Sequence, residues 1–187
     1  VVAHRSFWTC IILLITTSIF KKWQLFKKVL FNKKNILILF VTSLLIFGNW
    51  SVWIYAVSVN KIIDASFGYF IFPIISVFFG YLFLKEKLNK KRIISIFLVI
   101  ISTIYLMFNL SSIPLVGFSV ALLWSLYNLL RKKINVETDI GLLIESFFIL
   151  PFVIIIFYFI INTDQNSFVF NDFGLMSLIF LAGPMTV

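Results

Sequence analysis

Positively charged residues fall in every second gap between the long apolar stretches of this chain. Fourteen of the sixteen Lys and Arg residues lie in residues 21–34, 85–92 and 131–139. The intervening gaps contain one positive residue, Lys61, and the remaining positive residue of the chain is Arg5. Short basic loops resist translocation and stay on the cytoplasmic side of a membrane. The alternation therefore predicts a chain that crosses a membrane repeatedly, with its three basic connections in the cytoplasm.

The composition predicts that the lipid bilayer is the main solvent of this protein. Apolar residues make up 61% of the chain and charged residues 12%, whereas a soluble domain devotes about a quarter of its residues to charge. The net charge of +9 is divided among short separate loops, so nucleic acid is not an expected partner. The single cysteine, Cys10, predicts no disulfide within the chain.

The apolar runs have the length of transmembrane helices. A hydrocarbon core of roughly 30 Å needs about 20 helical residues, and these runs exceed the roughly 10 residues of a barrel strand and lack its polar alternation. Turn-forming residues at 109–114 divide the longest run into two helices. We therefore predict an all-α polytopic transmembrane bundle with six spans and part of a seventh. The predicted spans are the run ending near residue 20, 35–60, 65–84, two helices within 93–130, 141–161, and a run beginning at 174.

The basic segment at residues 21–34 follows the first apolar run, which places the end of that helix in the cytoplasm. The first helix should then run from outside to inside. Bacterial polytopic proteins usually begin in the cytoplasm, so this direction predicts a further helix upstream. The chain begins with Val1 rather than Met and stops within an apolar run. We expect it to be a fragment of a longer membrane protein.

Glu145 is the clearest functional candidate, because an ionisable side chain within an apolar span is costly unless it has a role. It follows Asp139 by six residues near the start of the predicted span at 141–161. One interpretation is a site that binds a proton or a cationic group. The other is an interfacial carboxylate stabilised by the helix N-terminus.

Polar and aromatic residues on other helices are further candidates for a substrate pathway. Asn49 and Trp53 recur at helical spacing on one face of the second helix, and Tyr69 and Trp124 lie on later helices. The functional interpretation is a polar cavity lined by these four residues and Glu145. The structural alternative assigns the amide to interhelical hydrogen bonding and the aromatic rings to packing or to the interfacial aromatic belt.

Two weak internal matches suggest that the chain contains two related halves. Residues 48–52 resemble residues 183–187 at an offset of 135, and residues 5–8 resemble residues 145–148 at an offset of 140. On the predicted topology, the helices that contain the first pair run in opposite directions. Inverted repeats of this kind are typical of secondary transporters, whose binding site lies at the repeat interface.

A series of short motifs resembles, in order, those of the RarD branch of the EamA transporters in the drug/metabolite transporter superfamily. The resemblance implies ten helices in two inverted five-helix repeats. Residues 1–110 would then form the first repeat without its first helix, and residues 111–187 a truncated second repeat. The motifs are Ala3-His4-Arg5, Gly48-Asn49-Trp50, the run from Asp64 to Pro73, the run from Phe83 to Leu88, the run from Leu126 to Lys133, and Ala182-Gly183-Pro184.

One departure from the family pattern falls beside the proline of the third helix. Phe72 stands where the resemblance leads us to expect Asn, so no polar contact is expected from position 72. The family is commonly labelled a chloramphenicol-sensitivity permease, and the resemblance leaves the substrate of this chain open.

These observations predict a secondary transporter that moves small organic metabolites or drugs across the bacterial cytoplasmic membrane by alternating access. Export follows from family analogy, and Glu145 is the predicted proton-coupling residue. The alternative is a non-transporting membrane interaction or sensor protein whose polar faces only pack. The sequence contains no metal-ligand spacing, nucleophile elbow or phosphate-binding loop, so no enzyme activity, cofactor or metal site is predicted. The coupling ion and the oligomeric state are not predicted.

Overall fold

A computed structural model of the chain describes residues 2–108 and 114–162, together with residues 174 and 177. All regular elements in these ranges are helices, and the two helices predicted within residues 93–130 are both present. The all-α prediction is therefore confirmed for the described residues, whereas most of the run from 174 onward lies outside them. The helices are α1 (Val2–Ile19), α2 (Trp23–Leu30), α3 (Lys33–Ser58), α4 (Ile62–Leu84), α5 (Lys90–Phe108), α6 (Leu115–Lys132) and α7 (Thr138–Asn162).

Five of the described helices, α1, α3, α4, α5 and α7, are long and apolar enough to cross a membrane. Helix α6 has 18 residues but is not among these five. Its last turn contains Arg131 and Lys132, and Asn128 precedes them, so polar residues occupy the end of this helix. The prediction of a multi-pass helical membrane protein is confirmed.

Helix α2 was not predicted, since residues 21–34 were expected to form a basic loop. The structure folds eight of these residues into a helix in which Phe26 and Val29 pack against apolar residues from other segments. These two residues are three positions apart and therefore share one face. The loop expectation was wrong for this segment because its apolar residues have helical spacing between the lysines.

Three helices end at a residue with a left-handed backbone. Lys21, Asn60 and Lys85 have φ angles of 52°, 57° and 53°, a conformation that glycine adopts more readily than other residues. At each of these helix ends, a backbone N–H that follows the helix donates to a carbonyl in its last turns. After α3, for example, the Lys61 N–H donates to the Ala56 carbonyl at 2.7 Å. Such bonds satisfy carbonyls at the helix end that would otherwise lack a partner.

The described chain divides into two compact units, and the first contains residues 1–44 and 134–187. In this unit α1 packs against α7. A second contact surface surrounds Leu39 of α3, which is fully buried with Ile140 and Ile144 of α7. Phe26 and Val29 of α2 cover the same cluster. The start of α7 is thus held by apolar contacts with α2 and α3.

The second unit contains residues 45–133, and its main contact is between α4 and α6. The two helices meet at glycines. A Cβ atom added to Gly68 would lie 2.5 Å from the Gly117 carbonyl oxygen, so no larger residue fits without moving the backbone. Beside this crossing, the Gly117 N–H donates to the Asp64 carboxylate at 3.0 Å. This carboxylate also lies where the dipole of α6 favours negative charge.

These two units are groups of packed helices and do not correspond to the predicted repeats. Helix α3 takes part in both, because the boundary between Leu44 and Leu45 falls inside it. The division of the chain into repeats at residue 110 therefore stays a prediction.

We expect Gly68→Ala to destabilise the protein by about 1–3 kcal/mol, the typical cost of overpacking. The reason is the collision of the new methyl group with the Gly117 backbone. The matched control is Gly48→Ala, where the added Cβ would meet Leu123 at an ordinary 3.8 Å. The control should be neutral or stabilising by up to about 1 kcal/mol, since alanine favours helices. Titration with sodium dodecyl sulfate in mixed micelles measures both, and equal stability of the two variants would contradict the close crossing.

Candidate functional site

Glu145 lies in the interior of the first unit and is only 1% exposed. Helix α7 begins at Thr138 rather than at the predicted residue 141, so Glu145 is about two turns from the helix N-terminus. The helix dipole acts mainly within the first turn and does not account for this carboxylate. Residues 140–146 are all buried, which means that every face of α7 is covered at this level. The structure thus shows Glu145 buried among helices, and both interpretations of its role stay predictions.

A hydroxyl group from another helix contacts the buried carboxylate. Thr42 Oγ1 of α3 lies 2.7 Å from Glu145 Oε1 and is itself completely buried. The same Thr42 oxygen lies 3.1 Å from the Leu39 carbonyl oxygen. A hydroxyl carries one hydrogen and can donate to only one of these acceptors at a time. Thr42 thus has two alternative partners, one of which is ionisable.

Other buried hydroxyl groups belong to the same unit. Ser6, Thr9 and Thr17 lie on the buried side of α1, the helix that packs against α7. The Ser6 hydroxyl donates to the Val2 carbonyl at 3.1 Å, whereas the hydroxyls of Thr9 and Thr17 have no hydrogen-bond partner among the described residues. Buried polar groups without a partner are rare and call for an explanation.

Sequence reasoning missed Thr42 and the hydroxyls of α1. A signal was available for α1, because positions 6, 9 and 17 lie on one helical face of an otherwise apolar run. No comparable pattern marked Thr42, since one threonine in an apolar helix usually bonds to its own backbone.

The second unit contains the other four candidate residues, and Asn49 is the most buried of them at 5% exposed. Its side-chain amide donates to the Val120 carbonyl of α6 at 3.1 Å. This bond matches the structural alternative of interhelical hydrogen bonding. An amide has two N–H donors and a carbonyl oxygen, so the bond to Val120 uses one donor. A role for Asn49 in a substrate pathway stays a prediction.

The structure brings Trp53 and Tyr69 together, as an aromatic pair between α3 and α4. Their ring centroids are 5.4 Å apart and the rings are nearly perpendicular, at 69°, an arrangement that aromatic rings favour. Tyr69 remains 52% exposed. Trp124 instead stacks on Tyr127 of its own helix, with centroids 5.4 Å apart. The Phe72 side chain packs beside the buried residues Phe67 and Ile71, and its backbone carbonyl accepts a hydrogen bond from the Ser125 hydroxyl at 3.4 Å.

Charged residues at the end of α4 form an ion-pair cluster in the second unit. Glu86 accepts hydrogen bonds from Lys132 of α6 and, at 3.5 Å, from Arg92 of α5. The hydrogen bond from Lys132 holds the pKa of Glu86 below its ordinary value of 4.5, and Arg92 acts in the same direction. The cluster connects the basic segment at 85–92 to the end of α6.

A second ion-pair cluster lies in the first unit at the turn between α1 and α2. Lys22 Nζ is 2.6 Å from both Glu137 and Asp139, which flank the start of α7. Hydrogen bonds to Asp139 and then to Glu137 raise the pKa of Lys22. These contacts hold the turn against the beginning of the helix that carries Glu145.

Replacement of Glu86 by Gln should lower the melting temperature slightly at neutral pH and by less near pH 3. A carboxyl whose pKa is lowered by folding stabilises the protein above its unfolded pKa. That contribution is lost as the pH falls through the lower folded value. Thermal unfolding in detergent at both pH values measures the effect. Lys87→Gln, which removes an exposed charge from the same segment, serves as the control. A Glu86→Gln difference that is equal at both pH values would contradict the ion-pair assignment.

A family model matches residues 2–108, which contain α1 to α5 and all candidates except Trp124 and Glu145. The model describes the EamA-like transporter family. The chain belongs to this family. The match covers more than half of the 187 residues, and the family is one of transporters.

Curated relatives match the EamA-like chain over its whole length. It is 35% identical to the uncharacterized transporter YojE of Bacillus subtilis and 30% identical to protein RarD of Escherichia coli K12, in each case over 100% of this chain and 63% of the relative. It is also 32% identical to an uncharacterized transporter of Vibrio cholerae, over 100% of this chain and 62% of that protein. The resemblance to the RarD branch is confirmed.

The chain spans just under two thirds of the length of these relatives. No solved structure matches it.

Proposed function

We propose that the full-length protein is a secondary transporter of the bacterial cytoplasmic membrane that exports small organic metabolites or drugs by alternating access. Glu145 is the proposed proton-coupling residue. Membership of the EamA-like family supports transport, and the name of protein RarD of Escherichia coli gives no substrate. Export and the cytoplasmic location of the basic segments rest on family analogy and on the charge pattern.

The observation that carries this proposal is the contact between Glu145 and Thr42 inside an apolar helix unit. A carboxylate at membrane depth is rare and typically marks a proton or ion pathway. Here the side chain is 1% exposed, with a hydroxyl 2.7 Å from its oxygen.

The hydrogen bonds of Thr42 suit both protonation states of Glu145. When Glu145 is ionised, the Thr42 hydroxyl donates to the carboxylate. When Glu145 takes up a proton, its own O–H donates to Thr42 Oγ1, and the Thr42 hydrogen turns to the Leu39 carbonyl, 3.1 Å away. Neither state leaves a polar hydrogen without an acceptor. The exchange requires only rotation of a hydroxyl, so protonation can alternate without loss of a hydrogen bond.

Several other groups are proposed to contact the substrate. The unpaired hydroxyls of Thr9 and Thr17 on α1 offer hydrogen-bond partners to a polar organic molecule. The Trp53 and Tyr69 pair of the second unit is a separate candidate, because its aromatic surface suits an apolar group. Asn49 and Trp124 also remain candidates for the pathway. In the structure, Asn49 donates to the Val120 carbonyl and Trp124 stacks on Tyr127.

The experiment is transport by the full-length protein in proteoliposomes, with an imposed pH gradient. The common label of the RarD branch makes chloramphenicol the first substrate probe, and a bacterial metabolite extract the second. We expect Glu145→Gln to lower proton-coupled transport at least tenfold and to abolish its pH dependence, because the amide cannot ionise. A dye that reports internal pH measures the accompanying proton movement.

Variants of Thr42 separate the coupling role from a folding defect. Thr42→Val removes the hydroxyl with little change of shape and should change the pH dependence of transport. Thr42→Ser retains the hydroxyl and should behave like the unaltered protein. If Glu145→Gln transports with unchanged rate and pH dependence, Glu145 is not the coupling residue. If the unaltered protein moves neither probe, the transport proposal fails in favour of an interaction or sensor role.

A further inference from the structure

Helix α2 presents a surface that the proposed transport function does not explain. It contains eight residues, which corresponds to about 12 Å of helix, far less than the roughly 30 Å of a hydrocarbon core. One side of the helix is anchored, because Phe26 and Val29 pack against the cluster of Leu39, Ile140 and Ile144. The helix is therefore fixed to the first unit and is too short to cross the membrane.

The apolar surface of α2 continues beyond its anchored side. Trp23, Leu25 and Leu30 remain about 40% exposed, and Phe31 just after the helix is 88% exposed. The ring of Trp23 contacts Phe26 edge-on, with centroids 5.6 Å apart, so the exposed apolar surface joins the buried one. Exposed tryptophan and leucine on a short amphipathic helix are typical of a helix that lies in the membrane interface.

The remaining side of α2 and its flanks are positively charged. Lys27 and Lys28 are exposed on the helix, and Lys33 and Lys34 are exposed at the start of α3. Residues 21–34 contain no acidic residue. Lys22 is paired with Glu137 and Asp139, whereas these four lysines form no ion pair with the described residues. The lysines therefore present an unneutralised positive surface next to an apolar one.

We propose that α2 and its lysines form a docking site for anionic phospholipid headgroups of the cytoplasmic leaflet. The exposed apolar residues enter the acyl boundary, and Lys27, Lys28, Lys33 and Lys34 bind the headgroup phosphates. Charge complementarity selects this partner, because each lysine near an anionic membrane surface favours binding. The proposal depends on the predicted orientation of the chain and is independent of transport.

The position of α2 gives such lipid binding a structural consequence. Phe26 faces Phe147 of α7 with ring centroids 6.1 Å apart, and Ile144 in the shared cluster directly precedes Glu145. A lipid bound to α2 therefore stabilises the packing at the start of α7.

Native mass spectrometry of the full-length protein in a mild detergent tests the proposal. The probes are phosphatidylglycerol and phosphatidylcholine, added separately over a range of concentrations. The unaltered protein should retain phosphatidylglycerol in preference to phosphatidylcholine. We expect Lys27→Gln with Lys28→Gln to weaken phosphatidylglycerol binding about thirtyfold, in line with the usual contribution of two lysines at an anionic surface. Both side chains are exposed, so the fold should remain intact.

Two further variants make the result specific. The pair Lys90→Gln and Lys91→Gln removes the same charge from adjacent exposed lysines at the start of α5, and phosphatidylglycerol binding should be unchanged. The pair Lys27→Arg and Lys28→Arg keeps the charge and should retain binding. Equal loss in both Gln pairs would show a general charge effect and overturn the proposal. Displacement of the lipid by millimolar inorganic phosphate would also overturn it, since the site would then be a free-anion site.

Discussion

The cost of placing charged and polar groups in hydrocarbon governs the arrangement of this EamA-like chain. Backbone groups inside a bilayer need partners within the protein, which favours helices. An ionised side chain at the centre of a transmembrane helix costs about 2.5–3.5 kcal/mol on insertion scales, and most lysines and arginines lie in the connections or near helix ends. Three polar side chains within the helices contact a group on another helix. Glu145 meets Thr42, Asn49 meets the Val120 carbonyl, and Asp64 meets the Gly117 N–H.

The positions of the long helices could be predicted because apolar length and loop charge are local properties of the sequence. The span expected at residues 35–60 is α3, and the one expected at 65–84 is α4, with ends shifted by at most three residues. Helix α2 was missed because lysines dominate its segment, although Trp23, Phe26 and Leu30 follow a helical spacing. A charge count alone does not distinguish a basic loop from a basic amphipathic helix.

The candidate site was predictable only in part. Glu145 stood out because a carboxylate within an apolar run is rare, and the structure indeed buries it. Its partner was not predictable, since Thr42 lies 103 residues away in the chain and only packing brings them together. The same applies to Gly68 and Gly117, whose close approach depends on how α4 crosses α6. For Asn49 the difficulty was different. Its position was clear from the sequence, but the pattern was compatible with both a polar cavity and an interhelical hydrogen bond.

Lys21 follows the end of α1 and Lys85 follows the end of α4. The backbone conformation and the side-chain charge at these two positions favour different residues. Lys21 and Lys85 both adopt the left-handed backbone, and a glycine at either position would relieve that strain. It would also remove a positive charge from the segments at 21–34 and 85–92, which the positive-inside rule predicts to lie in the cytoplasm. On that prediction, the stability of the folded chain favours glycine at these two positions, whereas its orientation during membrane insertion favours lysine.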